Sequence, residues 1–310
     1  MIFALRALMV SLAFFALVYS FLSLLLVLAW QCLRLFHFHK HIGAPAIFTL
    51  RVMPFGISAA VTLFLTLPSF LLLERHSLDE DFGTFVLSAC AMLIFGTGIY
   101  RVLVAEARTR RVVSACLKGA IDLEHNAVTP AIILAQSITP LMLIGVRAPR
   151  ILISESACKI LNDGELRAAV RHETAHSRSR DNLKKAILNC LPFPGMAGLE
   201  ESWQEASEFA ADDGAVSSRD EAVDLAAALI KLARHFPCQA VPDLATGLVS
   251  AVGSVTTRVE RLMAWRESSV ARPYRWRYVI VVGLIAFVGL AVKLGPALIL
   301  AHSLTERLVP

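Results

Sequence analysis

The chain has 310 residues, of which 56% are hydrophobic and only 18% charged, and its mean hydropathy is +0.62. That is too apolar for an ordinary soluble domain. The net charge of +5 gathers beside apolar runs, where juxtamembrane basicity explains it, and it does not call for nucleic acid.

Residues 7–33 form the first charge-free run, 27 residues long and enough to cross a bilayer. It is too long for a cleaved signal peptide, and no small-residue cleavage site follows it. The next stretch carries Arg34, Lys40 and Arg51 and no acid. His37, His39 and His41 alternate there, and an interfacial basic loop explains them better than a metal or pH-sensing cluster. Residues 52–73 are a second run of 22, followed by an acidic loop with Glu74, Asp79, Glu80 and Asp81 against Arg75. Residues 82–100 are a third run of 19, extendable to 105, and a basic helix over 102–118 leaves the membrane.

Short apolar runs at 131–135 and 141–146, each preceded by proline, and a third at 149–154 read as strands. A small sheet placed there has an edge that can pair with an extended peptide. Asn162 then caps a helix, with Glu165 completing a capping box and Leu166, Ala169 and Val170 giving an apolar stripe. Pro192 closes that helix. A Pro/Gly loop, an acidic helix over 199–216 and a further helix over 221–236 follow. Residues 278–301 are a fourth apolar run, broken only by Lys293, whose ammonium can snorkel to the outer face.

The capped helix carries His172-Glu173-Thr174-Ala175-His176. Histidines at i and i+4 stack one turn apart on one face, so both imidazoles reach a single Zn²⁺. Glu173 stands beside the first and is placed to take a proton from water at the metal. The acidic helix offers a third ligand, because Glu208 and Asp212 are also i and i+4. Two histidines plus Glu208 leave tetrahedral zinc one open position, which a catalytic site needs and a structural site lacks. Asp212 is then placed to accept the N–H of a ligating histidine. The competing reading for Glu208 is a solvated acidic face shared with Glu200, Glu201 and Glu205; the nearby pentad favours the ligand. His125 and His235 have no partner by spacing and read as non-ligands.

The Lys/Arg asymmetry of the loops, with Arg108, Arg110 and Arg111 after the third run and Arg272, Arg275 and Arg277 before the fourth, orients the spans. Both termini fall outside and residues 106–277 inside. The six cysteines include no C-x-x-C pair, so they give neither a zinc knuckle nor a disulfide framework. Arg178, Arg180 and Asp181 read as ion-pair partners around the zinc helix.

The run Pro149-Arg150-Ile151-Leu152-Ile153-Ser154, then Gly164-Glu165-Leu166, then the pentad continued to Arg178 and Asp181, then Glu208-Phe209-Ala210-Ala211-Asp212 resembles the BlaR/MecR-type membrane zinc peptidases. Those antirepressors hold a gluzincin domain between their third and fourth spans, so the resemblance covers nearly the whole chain. It implies His172, His176 and Glu208 as zinc ligands, Glu173 as general base and Asp212 as their support. The β-lactam-sensing members carry a penicillin-binding sensor after the fourth span; here residues 302–310 follow, and no sensor is expected. Prenyl-protein and heat-shock membrane proteases share the pentad and the Glu-x-x-Ala-Asp segment, and add a His-Pro shortly before an Arg-Ile pair. Here Arg258-Val259 follows Val252-Gly253-Ser254, without that histidine. Arg258 is a candidate partner for the tetrahedral intermediate, but an ordinary surface or ion-paired role is the stronger reading.

The expected fold is therefore mainly α, with four transmembrane helices and a cytoplasmic α+β gluzincin-type zinc peptidase domain between spans three and four. The divisions are 1–105 for three spans, 106–277 for the peptidase, 278–301 for the fourth span and 302–310 for a tail. The expected activity is that of a zinc endopeptidase of the cell (inner) membrane, with one Zn²⁺ per chain, acting on a cytoplasmic or membrane-proximal protein. Its partners are a protein or peptide substrate and the lipid bilayer. The alternatives are a quality-control peptidase like the heat-shock and prenyl-protein enzymes, or a zinc-stabilised sensor or scaffold without activity. The last has no use for a base at Glu173.

Overall fold

The computed structural model describes residues 2–36, 42–73, 82–116, 121–126, 129–135, 139–236, 244–248, 255–266, 299–300 and 303–304. The fourth apolar run lies outside these but for Ile299 and Leu300, and so do Lys293, His37, His39, His41 and Cys238.

The first three apolar runs form α1 (Ile2–Leu35), α2 (Ala44–Val61) continued through a π turn (Thr62–Thr66) into α3 (Leu67–Leu73), and α4 (Phe82–Cys116). Three helical stretches, Ala4–Leu35, Ala44–Leu72 and Phe82–Cys116, are long and apolar enough to cross a membrane. The π turn precedes Pro68, which has no N–H for the carbonyl of residue 64 and whose ring crowds that turn. Phe21, Leu25, Leu63, Leu72 and Leu93 are exposed on the bundle's outside, as lipid-facing side chains are. Inside, Phe15 packs on Phe55 and Phe95 with ring centroids 5.6 and 5.1 Å away, and Tyr19 packs on Phe55 at 6.2 Å.

Two sequence expectations change at the membrane face. Arg51 is not in a loop: it lies within α2, buried, and its Nε and Nη2 donate to Oε1 of Glu200 at 2.9 and 2.8 Å. The third span and the basic helix are one unbroken α4, so the division at 105/106 falls inside a helix. Nothing between Tyr100 and Cys116 is a glycine or proline that would stop it.

The sheet has the order β1 (Ile121–Asn126), β2 (Thr129–Ala135), β4 (Arg150–Ser154), β3 (Leu141–Ile144), β5 (Thr246–Gly247). Only β2 and β4 run parallel. Strands β1 and β5 are not foreseen in the sequence reading, the second being too short to show a pattern. Strands β3 and β4 read as unbroken apolar runs because both faces are covered. Leu141, Leu143, Ile151 and Ile153 face the core that includes Ala168, Ala169, Leu225 and Leu229. Met142, Ile144 and Leu152 face the other way, onto Val113 and Cys116 of α4.

After α5 (Glu155–Ile160), helix α6 (Asp163–Ser179) starts with the expected Asn162–Glu165 capping box. It does not run on to Pro192. Arg180 adopts φ 55° and turns the chain into a second helix, α7 (Asp181–Cys190). A non-glycine residue in this conformation costs about 1–2 kcal/mol, offset here by the contacts that Asp181 then makes. Helices α8 (Ala197–Ala215), α9 (Arg219–His235) and α10 (Val255–Met263) complete the described chain.

Candidate metal centre

Three elements converge on one buried point. α6 presents His172, Glu173 and His176, α8 presents Glu208 and Asp212, and α10 presents Arg258; all are buried. Small residues let α6 and α8 approach: a Cβ placed on Gly214 would lie 3.2 Å from that of Ala175.

The ring nitrogens are sorted by their carboxylates. Nδ1 of His172 lies 3.0 Å from Oδ1 of Asp212. Nδ1 of His176 donates to Oδ2 of Asp181 at 2.8 Å. The Asp181 carboxylate holds the His176 proton on Nδ1, whereas Nδ1 of His172 lies beside Asp212 without an aligned hydrogen bond and Nη2 of Arg258 stands 3.4 Å from its Nε2. The two Nε2 atoms then face each other 3.1 Å apart. Oxygens of Glu208 stand 3.6 Å from Nε2 of His172 and 3.7 Å from Nε2 of His176. His172, His176 and Glu208 each offer a ligand atom, all within 4.8 Å of one another.

Two ring nitrogens and a carboxylate oxygen converging in this way fit a cation. The surrounding carboxylates favour a positive charge at this point. Burial opposes a charged His172, yet Asp212 and Glu208 outweigh it and push its pKa up to about 9. Burial likewise works against a charged Glu208, but Arg258 and the two histidines hold its pKa down at about 2. Nitrogen, nitrogen and one carboxylate oxygen are a donor set that suits zinc.

Glu173 is not part of the ligand cluster. It is fully buried, Oγ1 of Thr246 donates to its Oε2 at 3.4 Å, and its Oε1 has no hydrogen-bond partner among the described residues. Burial raises its pKa, against the pull of His172 and His176. The oxygen without a partner is free to take a proton.

A family profile described as BlaR1 peptidase M56 matches residues 84–262, more than half of the chain. The chain belongs to the BlaR1 peptidase M56 family. This M56 chain is thus a membrane protein and a peptidase of a metallopeptidase family. No curated protein matches it.

The structure brings together all five residues singled out in the M56 sequence, and adds two. Asp181, read only as an ion-pair residue, reaches His176 as well as Nζ of Lys184 at 2.9 Å. It comes within reach because Arg180 turns the chain beneath the end of α6. Arg258 is the other. Its Nε and Nη2 donate to Asp212 at 2.8 and 2.6 Å, and its Nη1 lies 2.9 Å from Oε2 of Glu208 and donates to the carbonyl of Leu248 at 2.8 Å. Its donors are engaged by carboxylates, a carbonyl and Nε2 of His172 at 3.4 Å; the side chain is buried, so Arg258 is ion-paired and not the surface residue that is the other ordinary expectation. The Arg-Val pair alone marked it in the sequence; its partners required the packing of α10 on α8 and α9. His235 lies away from the site, donating to the carbonyl of Lys231 at 2.8 Å.

The edge of β3 lies beside this centre, and the chain's own Thr246–Gly247 takes it up, paired antiparallel with Leu143 and Met142. Asn182 fixes α7 to the same strand by donating to the carbonyls of Leu143 and Gly145 at 3.2 and 3.1 Å.

Proposed function

We propose that this chain is a zinc endopeptidase of the cell membrane, holding one Zn²⁺ through His172, His176 and Glu208. The observation that carries the reading is the meeting of two histidine Nε2 atoms and a carboxylate oxygen at one buried point, with a carboxylate oxygen of Glu173 lacking a partner next to it. Zinc bound there supplies a Lewis acid and acidifies a water. Glu173 takes the proton of the attacking water on Oε1 and passes it to the leaving amine. Burial favours its protonated form, which suits a group that must hold a proton before giving it up. Asp212 and Asp181 keep the two rings oriented, and Arg258 fixes Glu208 and Asp212 against each other. The edge of β3 beside Glu173 is taken by the chain's own Thr246–Gly247, so a polypeptide substrate is supported by the peptidase family.

Replacing Glu173 by Gln tests this. Zinc content should stay at one per chain, while cleavage of a casein substrate falls by about 10²- to 10⁴-fold. Loss of zinc in Glu173→Gln would make Glu173 structural. A wild type that cuts nothing would favour a sensor or scaffold.

The loop charges support a cytoplasmic metal centre, with both termini on the other side. An alkaline phosphatase reporter should be active when fused after residue 310 and inactive after residue 119; the opposite pattern reverses the topology.

A further inference from the structure

Resting on the peptidase reading, we propose that the substrates are polypeptides anchored in the same bilayer, cut within about ten residues of the membrane face that carries the metal centre. The depth at which the centre is held carries this.

The chain after α7 reads Leu191-Pro192-Phe193-Pro194-Gly195-Met196, and it is seated among the membrane helices. Gly98 of α4 meets the carbonyl of Cys190 so closely that a Cβ there would lie 2.1 Å from its oxygen. Tyr19 of α1 donates to the carbonyl of Pro192 at 3.4 Å, and its ring meets that of Phe193 edge-on at 5.7 Å. Gly195 rests on Val27, and Arg51 donates to the carbonyl of Leu191. The aromatic cluster that Phe193 joins includes Phe55 and Phe95. Phe55 is four residues inside Arg51 and Phe95 six inside Arg101. At 1.5 Å per residue the cluster therefore lies about 6–9 Å below the first charged side chains of α2 and α4.

The metal centre's height follows from two separate connections. Helix α7 joins Cys190, at the level of Gly98, to Asp181, which touches His176. Nine residues of helix rise at most about 14 Å. On the other side, the amide of Leu244 donates to Oγ1 of Thr109 at 3.4 Å, and Nζ of Lys185 donates to the carbonyl of Ala245 at 2.5 Å. Two residues on from Leu244, Thr246 meets Glu173. Thr109 is eight residues beyond Arg101 on one unbroken helix, or about 12 Å. Both routes keep Glu173 and the histidines within roughly 20 Å of the level of Arg101, of which the headgroup layer takes about 5–7 Å. A chain leaving the bilayer covers that distance in about six extended residues or fewer. An anchored substrate also gains an effective concentration in the millimolar range, which a soluble protein lacks.

The test uses the full chain in vesicles with a reporter: one apolar span followed by an unstructured, casein-derived tail of about 60 residues. The same tail without the span is added to matching vesicles, and Glu173→Gln is the control. Cuts mapped by mass spectrometry should cluster within about ten residues of the span, with the free tail cut at least about tenfold more slowly. Cuts spread evenly along the anchored tail, or lying only beyond about 20 residues from the span, overturn the inference while the peptidase reading stands. Equal rates on the free tail do the same. If the wild type cuts neither form, nor casein, the peptidase reading falls and the inference goes with it.

Discussion

Asp181 offers the sharpest test of the site, because its role comes from the fold alone. It is 2% exposed, with one oxygen 2.8 Å from Nδ1 of His176 and the other 2.9 Å from Nζ of Lys184. Asp181→Ala removes the acceptor that keeps the His176 proton on Nδ1 and leaves Nε2 bare. A buried charge-assisted hydrogen bond is worth about 1.5–3 kcal/mol. At about 1.4 kcal/mol per decade that is roughly a 10- to 100-fold loss of zinc affinity, the range expected for removing a partner of a ligating histidine. Lys184 adds little, since its side chain is 22% exposed and can turn to water at a cost of under about 1 kcal/mol. Asp181→Asn keeps an oxygen that can accept from Nδ1 and should lose less than about tenfold. The assay is competition for zinc against a chelator of known affinity, with the full chain purified in detergent. Wild-type affinity in Asp181→Ala would refute the argument. An Asn variant as weak as Ala would show that charge, not the tautomer, is what Asp181 supplies.

Zinc affinity should also rise with pH. The pKa of His172 in the metal-free protein is raised from its ordinary 6.5 to about 9, so its contribution to metal-free stability is complete below pH 6.5 and lost as pH passes 9. Zinc needs the neutral ring, so affinity should climb by up to about tenfold per pH unit between those values. Calorimetry in two buffers of different ionisation enthalpy should find a proton released; none released at pH 7.5 would refute it. At the membrane face, Gly98→Ala forces a Cβ onto the Cys190 carbonyl and should cost about 1–3 kcal/mol. Gly96→Ala, with nothing within 4 Å, should be neutral, and thermal unfolding of the two detergent-purified variants compares them.

The sequence by itself determined what depends on spacing along one element. Runs of 19–27 apolar residues span a bilayer wherever they sit, so three membrane helices were legible. Histidines four apart share a helix face in any fold, and Asn162 with Glu165 caps a helix with no help from elsewhere, so α6 and the shared face of its two histidines were legible too. Glu208 and Asp212 were readable because they repeat that spacing. The tertiary structure decided what joins elements. Arg180 ends α6 without glycine or proline, since only the packed site makes its left-handed turn worth its strain, and Asp181 reaches His176 only through that turn. Arg258 lies 46 residues from Asp212, and no local pattern marks a pair at that separation. The two-residue β5 exists only because β3 offers it an edge. Gly98 meets Cys190 and Thr109 meets Leu244, contacts between segments whose separation in the chain exceeds any period a sequence can show.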